Sequence, residues 1–383
     1  FVASQNQNTI APGFLLASLY WLFEYEPDTY KRIQYVMLPK DYIKFRLTGR
    51  IVTDYSDAAG STAFDNINLC WAVKLIDALG LRPGMFPECL PSEDMIGNIT
   101  EQAALETGLQ KGTPVINGGA DQCMQAIGNG IIPGGVFACN IGTGGQVSTS
   151  VSRPLYDVHL RVSTFAHALP HKWNVMAAVL NAGASLTWLA QQVLGTADYR
   201  GIDAEAEKVP PGCEGLIFLP YLTGERILKD PDARGIFFGL AGKHDRFYMA
   251  RAVMEGVAFV LRDCLDIITG EIGIPCTKIV AGGGGAAGTL WPQIQADILE
   301  QPIVRSLNTE QACLGAAITA GVGAGVFANA ESASNSLVQY ADTIYEPRAQ
   351  YQSLYREYHA MFRDLYIRNK DMFKKITALN TGV

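Results

Sequence analysis

The apolar positions of this chain change period several times, and the changes outline its elements. From Pro12 to Leu47, residues such as Leu15, Leu16, Leu19 and Leu22 recur at spacings of three and four, which predicts helix, and Thr48-Gly49 ends the run. Lys111-Gly112-Thr113-Pro114 is turn chemistry, and the apolar run Val115-Ile116-Asn117-Gly118-Gly119 after it predicts a buried strand. A helical pattern follows from Gln122 to Asn129. Ile131-Ile132-Pro133-Gly134-Gly135 breaks it and marks a hinge.

Beyond the hinge, Val136 to Ser150 reads as two strands around Gly142-Thr143-Gly144-Gly145, a hairpin. Trp173 to Leu180 and Leu216 to Leu219 read as strands, and Leu186 to Leu194 as helix. Phe247 to Thr269 is a long amphipathic helix. Lys278-Ile279-Val280-Ala281 is a strand that runs into four glycines, with a helix from about Leu290 to Glu300. Ala312 to Phe327 predicts a small-residue helix, and Gln350 to Lys375 a helix rich in Tyr and Phe. Strands, glycine turns and helices alternate, so the class is α/β, with ligands expected where glycine turns follow strands.

Composition narrows the picture. The chain has 383 residues, 48% of them hydrophobic, enough for two cores, since a single core stops growing at roughly 250–300 residues. A net charge of −7 without a long basic run argues against nucleic acid; Lys370, Lys374 and Lys375 read as a solvated helix face. Eight cysteines, scattered singly, predict reduced thiols and a cytoplasmic setting. No apolar stretch reaches the ~18 residues of a membrane span. His167 and His171 have zinc-ligand spacing, but Pro170 between them disfavours one helical face, and no metal ligand is assigned.

Three segments carry candidate chemistry. In Gly118-Gly119-Ala120-Asp121-Gln122, a carboxylate stands at a helix start after two glycines. Asp121 on this segment alone reads first as an N-cap; the sharper reading is a general base that takes a proton from an attacking hydroxyl. In Asn140-Ile141-Gly142-Thr143-Gly144-Gly145-Gln146, glycines allow the backbone to cradle phosphate oxygens; an ordinary hairpin with a glycine bulge has the same look. No Gly-Lys-Ser/Thr follows, so this is not a Walker A loop. In Ala281-Gly282-Gly283-Gly284-Gly285-Ala286, bare backbone leaves room for a ribose or a flat ring, or forms a flexible loop.

The order of these segments, and several longer matches, resemble the FGGY carbohydrate kinase family. Val36-Met37-Leu38-Pro39-Lys40-Asp41-Tyr42 with Leu47-Thr48-Gly49, and Asp54-Tyr55-Ser56-Asp57-Ala58-Ala59-Gly60, are similar to the family's LPKDY…LTG and D-x-SDA-A-G segments. Leu219-Pro220-Tyr221-Leu222-Thr223-Gly224-Glu225-Arg226 and the run from Ala233 to Leu240 resemble LPYL-x-GER and ARG-x-F-x-GL. The run from Phe165 to Trp173 resembles the HALP-x-x-W of the xylulose kinase branch.

The resemblance implies two ribonuclease H-like domains of the actin-like ATPase type around a cleft. Residues 1–132 would form an incomplete sugar-binding domain, 133–330 the ATP-binding domain and 331–383 a helical extension. It implies ATP with Mg²⁺, and phosphorylation of a ketopentose, D-xylulose foremost, with ribulose, glycerol or gluconate as alternatives. A non-catalytic sugar or nucleotide sensor is the other class. By match, Asp121 is the base, Asp121 and Gln122 contact the sugar, Gly142, Thr143 and Gly144 hold phosphate, and Gly283 and Gly284 hold adenosine. A homodimer is compatible with the pattern; nucleic-acid and membrane partners are not expected.

Two departures stand out. The family's Asp-x-Gly-Thr phosphate motif and Met-His sugar pair belong upstream of Phe1, so the chain as given is expected to lack an N-terminal segment and to be inactive alone. Ala287-Gly288 stands where relatives carry a polar pair, and Asn140 where Ser is frequent.

Overall fold

A computed structural model describes residues 1–132, 134–155 and 157–381. Pro133, the expected hinge, lies outside the described residues. Two compact units are present. Unit 1 takes residues 1–134, 149–175 and 308–339, and unit 2 takes 135–148, 176–307 and 340–383. The chain therefore passes between units more than once, where the sequence suggested contiguous blocks.

In unit 1 the expected first helix is three: Leu15–Tyr25, Pro27–Arg32 and Pro39–Thr48. Proline explains both breaks, because Pro27 and Pro39 have no N–H to continue a helix and each sits at a first helical position. Gly49 ends the third with a left-handed C-cap, φ 76°. Leu16, Leu19, Tyr30, Leu75 and Ile76 close one core against Met85 and Phe86.

Short strands pair in unit 1. β1 (Val52–Asp54) runs parallel to β4 (Glu88–Leu90), and β2 (Phe64–Asp65) antiparallel to β3 (Cys70–Trp71). β5 (Met95–Asn98) pairs antiparallel with β6 (Pro114–Ile116). The predicted strand from Val115 to Gly119 thus stops at Ile116 and is half-buried rather than buried. The reason is local: Gly118 takes φ 74°, which no strand continues through.

Asn6, Gln7 and Asn8 near the start of the chain are buried, which their polar composition did not signal. Asn8 exchanges two hydrogen bonds with the backbone of Thr164: Nδ2 donates to the carbonyl at 2.7 Å and Oδ1 accepts from the amide at 2.9 Å. Gln7 Oε1 accepts from Asn66 N at 2.8 Å. Asn6 Nδ2 donates to Thr62 O at 2.8 Å. These side chains act as an added strand edge would, satisfying backbone groups that burial would otherwise leave unpaired.

The largest sheet has six strands in the order β14-β13-β7-β8-β10-β9. They are β7 (Val136–Ile141), β8 (Gly145–Val151), β9 (Ser163–Ala166), β10 (Trp173–Val179), β13 (Lys278–Gly282) and β14 (Ile303–Arg305). β13 is parallel to both β7 and β14 and is buried along Ile279, Val280 and Ala281, as expected of a strand covered on both faces. β11 (Ile217–Leu219) and β12 (Ile236–Phe238) form a separate pair.

In unit 2 the helix Arg246–Asp266 is the central element, with fourteen buried residues from Ala250 to Leu265. The C-terminal helix Ala349–Thr381 docks on it through a buried triad. Arg251 Nε and Tyr355 Oη both donate to Glu255 Oε1, at 2.9 and 2.8 Å. Among the described residues, no helix is long and apolar enough to cross a membrane.

The helix Asp121–Gly128 packs backbone to backbone on Gln311–Gly323. A Cβ at Gly128 would lie 1.9 Å from Gln311 O, and one at Gly315 would lie 1.8 Å from Met124 O. The small residues expected in the second helix are thus what lets the first approach it. Gly315→Val should destabilise the protein by ~3 kcal/mol, the upper range for overpacking, because the obstacle is backbone rather than a movable side chain. Urea denaturation checks this: a midpoint matching the parent would mean the helices do not meet as described.

Candidate functional site

Unit 1 presents Asp121 at the end of a closely packed approach. After β6, Asn117 N–H donates to Asp94 O at 2.9 Å and Gly118 N–H to Ser92 O at 2.8 Å. Gly119 has no room for a side chain: a Cβ would lie 2.8 Å from Ala168 Cβ and Met124 Cε and 2.9 Å from Ser56 Oγ. Ala120 is then the N-cap, with Asp121 the first helical residue. Asp121 is therefore not the cap. It is exposed, and Oδ1 accepts from the Gln122 amide at 2.6 Å. Gln122 is exposed beside it.

Beneath this loop lies an ion cluster whose members the sequence supplied in two separate motifs. Lys40 Nζ reaches Asp54 Oδ1 at 2.9 Å, Asp41 Oδ1 at 3.1 Å and Asp57 Oδ2 at 3.2 Å. Lys44 Nζ reaches Asp41 Oδ1 at 3.0 Å and donates to Asn117 Oδ1. Asn117 Nδ2 in turn donates to the carbonyls of Thr53, Leu90 and Pro91, each at 3.1 Å. Asp54 is fully buried, and its Oδ2 accepts from Ser56 N at 2.8 Å, from Ser56 Oγ, and from Ser92 Oγ at 2.9 Å. Sequence reasoning quoted Lys40, Asp41, Asp54 and Asp57 only as family markers; Lys44, Ser92 and Asn117 it did not single out. The adjacent Lys40-Asp41 of one short motif and the paired Asp54 and Asp57 of the other were the available signal.

Three carboxylates share two ammonium groups here, so one negative charge is in excess. The shifts follow that count. Burial alone would lower the Lys40 pKa, but the three carboxylates around it drive it well above the usual lysine range. Lys44 is pushed down to about 8 by burial and by Lys40. Asp57 carries the excess: burial, with Asp54 and Asp41 nearby, raises it to about 6 against the pull of Lys40. Both partners of the Lys40–Asp57 contact thus shift upward, which favours the charged lysine but the neutral carboxyl, and the surplus carboxylate accounts for it.

The HALP segment lies in the same unit. His167 is buried, and its Nδ1 accepts from Leu169 N at 3.0 Å, which makes Nε2 the protonated nitrogen. Burial and Lys172 bring its pKa down to about 4, so it is neutral at physiological pH. Ala168 of this segment is the side chain that closes on Gly119.

Unit 2 holds the other expected residues on two adjoining turns. Gly142, Thr143 and Gly144 form the bend between β7 and β8, closed by Gly142 N–H donating to Gly144 O at 2.9 Å. The carbonyls of Gly142 and Thr143 accept from the amides of Gly183 and Ala184, at 2.8 and 3.0 Å, where the helix Gly183–Trp188 begins. Gly183, which sequence reasoning missed in the run Asn181-Ala182-Gly183-Ala184, is required: a Cβ there would lie 2.3 Å from Gly142 O.

After β13, Gly283 has φ 74°, and a Cβ on it would meet Ile141 O at 2.4 Å. It binds the second turn to the first. Gly284 is different, with exposed backbone and nothing within 4 Å of a Cβ. At the departure Ala287-Gly288, a Cβ on Gly288 would lie 2.7 Å from Asp203 Oδ2, whose carboxylate also accepts from Thr289 N at 3.4 Å and Leu290 N at 3.5 Å. The missing side chain makes room for Asp203, which caps the helix Leu290–Leu299 from another element. Bare backbone at Gly142 and Gly284 fits a nucleotide's phosphates and nucleoside better than it fits a bulky apolar ligand.

Comparison with known proteins gives two family matches. Residues 1–128 match the N-terminal domain of the FGGY family of carbohydrate kinases, and residues 137–324 its C-terminal domain. The chain is 33% identical over 367 residues to the xylulose kinase of Bacillus subtilis, covering 96% of this chain and 73% of that one. Among solved structures, a "xyloylose kinase" from Brucella ovis superposes with a TM-score of 0.91 at 30% identity, covering 97% of this chain and 76% of that one. A gluconate kinase from Lactobacillus acidophilus gives a TM-score of 0.91 at 28% identity, covering 98% and 76%.

The excess charge on Asp57 has a checkable sign. Its folded pKa of about 6 lies above the ordinary value of 3.8, so the folded state holds this proton more tightly. That contribution to stability is present below pH 4 and is lost as pH rises through 6. Asp57→Asn should therefore raise the melting temperature relative to the parent at pH 8 and leave the difference small near pH 4. A variant less stable than the parent at pH 8 would show that the ion pair with Lys40 outweighs the surplus charge.

Proposed function

Because this chain belongs to the FGGY family of carbohydrate kinases, we propose that it phosphorylates D-xylulose with ATP, giving D-xylulose 5-phosphate and ADP. That the family's enzymes are ATP-dependent sugar kinases follows from the membership itself. The sugar is the finer step. It rests on the B. subtilis xylulose kinase, matched along 96% of the chain, together with the HALP segment. In this reading residues 1–132 belong to the sugar-binding domain, 133–330 to the ATP-binding domain and 331–383 to a helical extension. Gluconate is the second candidate substrate, since the L. acidophilus gluconate kinase superposes as well as the xylulose kinases do.

The mechanism assigned is in-line phosphoryl transfer. The sugar hydroxyl loses its proton to Asp121 as its oxygen attacks the γ-phosphorus; the bond to the bridging oxygen breaks, and ADP leaves. Gln122 contacts the sugar. Gly142, Thr143 and Gly144 hold phosphate oxygens through backbone, and Gly283 and Gly284 approach the nucleoside. A divalent ion such as Mg²⁺ bound with ATP would supply charge neutralisation on the phosphates. The observation that supports the base is the exposed Asp121 carboxylate, held at a helix N-terminus but not consumed as its cap.

Three experiments on the full-length polypeptide test this. Asp121→Asn should lower turnover with D-xylulose by ~100-fold or more, while the melting temperature stays close to the parent's, because Asn preserves the shape but is a very poor base. Run alongside D-ribulose, glycerol and D-gluconate, the parent should prefer D-xylulose; a clear preference for gluconate replaces the substrate assignment. Gly284→Val, at a position with open space and negative φ, should keep the fold and weaken ATP binding by ~10-fold or more, measured by calorimetry. Unchanged affinity would move the nucleoside elsewhere.

A further inference from the structure

The structure joins the base to the ion cluster by one relay, and nothing in the proposed mechanism uses it. Ser56 Oγ does two things at once: it donates to Asp54 Oδ2, and it accepts from the amide of Ala120 at 2.8 Å. Ala120 is the residue immediately before Asp121. Ser56 is itself fixed, since it is 2% exposed and its own amide also donates to Asp54 Oδ2. Asp54 is fixed by Ser92 Oγ on one oxygen and by Lys40 Nζ on the other. The chain of contacts therefore runs Lys40, Asp54, Ser56, Ala120 N–H, Asp121.

We infer that Ser56 is a positioning residue for Asp121, acting as a relay that transmits the placement of the Lys40–Asp54 pair to the backbone that carries the base. This rests on Asp121 being the base. Three features point this way rather than to simple packing. The hydroxyl sits opposite Gly119, where a Cβ would approach Ser56 Oγ to 2.9 Å, so the loop is fitted to the hydroxyl from both Gly119 and Ala120. A hydroxyl that donates to a carboxylate is polarised and becomes a better acceptor for the Ala120 amide. Ala120 N–H is, moreover, one of the first amides of the helix Asp121–Gly128, which have no partner inside the helix, so its direction is set from outside. Ser56 thereby fixes the angle at which that helix, and Asp121 at its first position, enters.

Alanine at 56 keeps the Cβ and removes both bonds. The loop then loses its fixed point, and Asp121 is displaced relative to the sugar hydroxyl. A misplacement of ~1 Å is enough to cost ~10²-fold in rate.

The test is a double-substitution cycle in the full-length protein. Ser56→Ala, Asp121→Asn and the pair are assayed for kcat and KM with D-xylulose, or with the panel sugar the parent prefers, and for melting temperature. Ser56→Ala should lower kcat by ~10–100-fold while KM for ATP stays within about twofold. In the Asp121→Asn background the same change should lower kcat by no more than about twofold, because a relay acting through Asp121 has nothing left to position. An equal loss in both backgrounds, or no loss in the parent, overturns the relay. Normal turnover in Asp121→Asn alone overturns the base assignment, and the inference with it, so the two failures are told apart. If Ser56→Ala does not fold, Ser56→Cys runs the same cycle with a side chain of similar size and a weak acceptor; it should give the same non-additive pattern.

Discussion

The half-buried ammonium of Lys40 is the constraint on which unit 1 depends. An ammonium placed among three carboxylates in a mostly dry site is tolerable only if its partners stay where they are, since a single buried charge left unpaired costs several kcal/mol. Those partners come from the third helix, from β1 and from the short helix after it. The cluster therefore acts as a registration point between elements that share few large side chains. A buried pair of this kind is weak evidence for stability as such, because an apolar replacement of equal volume can serve as well. What an apolar core could not supply is a fixed carboxylate oxygen beneath Ser56. The polar design makes sense as placement of backbone, not as strength.

The turns of unit 2 reach a comparable result without charge. There the constraint is exclusion: Gly183, Gly283 and Gly285 sit where a Cβ would strike Gly142 O, Ile141 O and the Ile141 side chain. Three chain segments approach one another through bare backbone, so the bend at Gly142–Gly144 is held by what is absent. One unit thus fixes the loop before Asp121 with ions and hydroxyls, and the other shapes its turns by deletion of side chains.

Much of this was legible in the sequence, and the division follows range. Helix Asp121–Gly128, the hairpin turn and the strand into four glycines are set by residues within a few positions of one another, and period and glycine placement revealed them. The division of the first helical run was carried by Pro27 and Pro39, single residues that outweigh a long apolar period. What could not be read was any bond across the chain. Asp54 is joined to Ser92 from 38 residues away, and Asn8 to Thr164 from 156. Asn8 in particular has the composition of a loop and the burial of a strand, because its side-chain amide does the work of a backbone amide.

The crossing of helix Asp121–Gly128 on Gln311–Gly323 has a consequence for how the molecule is made. Gln125 meets Gln311 across 186 residues, and Ile127 accepts from Ser334 across 207. On a ribosome adding roughly 5–20 residues each second, the helix that carries Asp121 waits on the order of 10–40 s for the segment that covers it. During that interval Met124 and Ile127, both buried in the finished protein, have no Ile318 to pack against. Unit 1 therefore cannot mature as an N-terminal domain ahead of the rest. It is completed only after most of unit 2 has been synthesised, so the nascent chain carries an exposed apolar helix face until its end is nearly made.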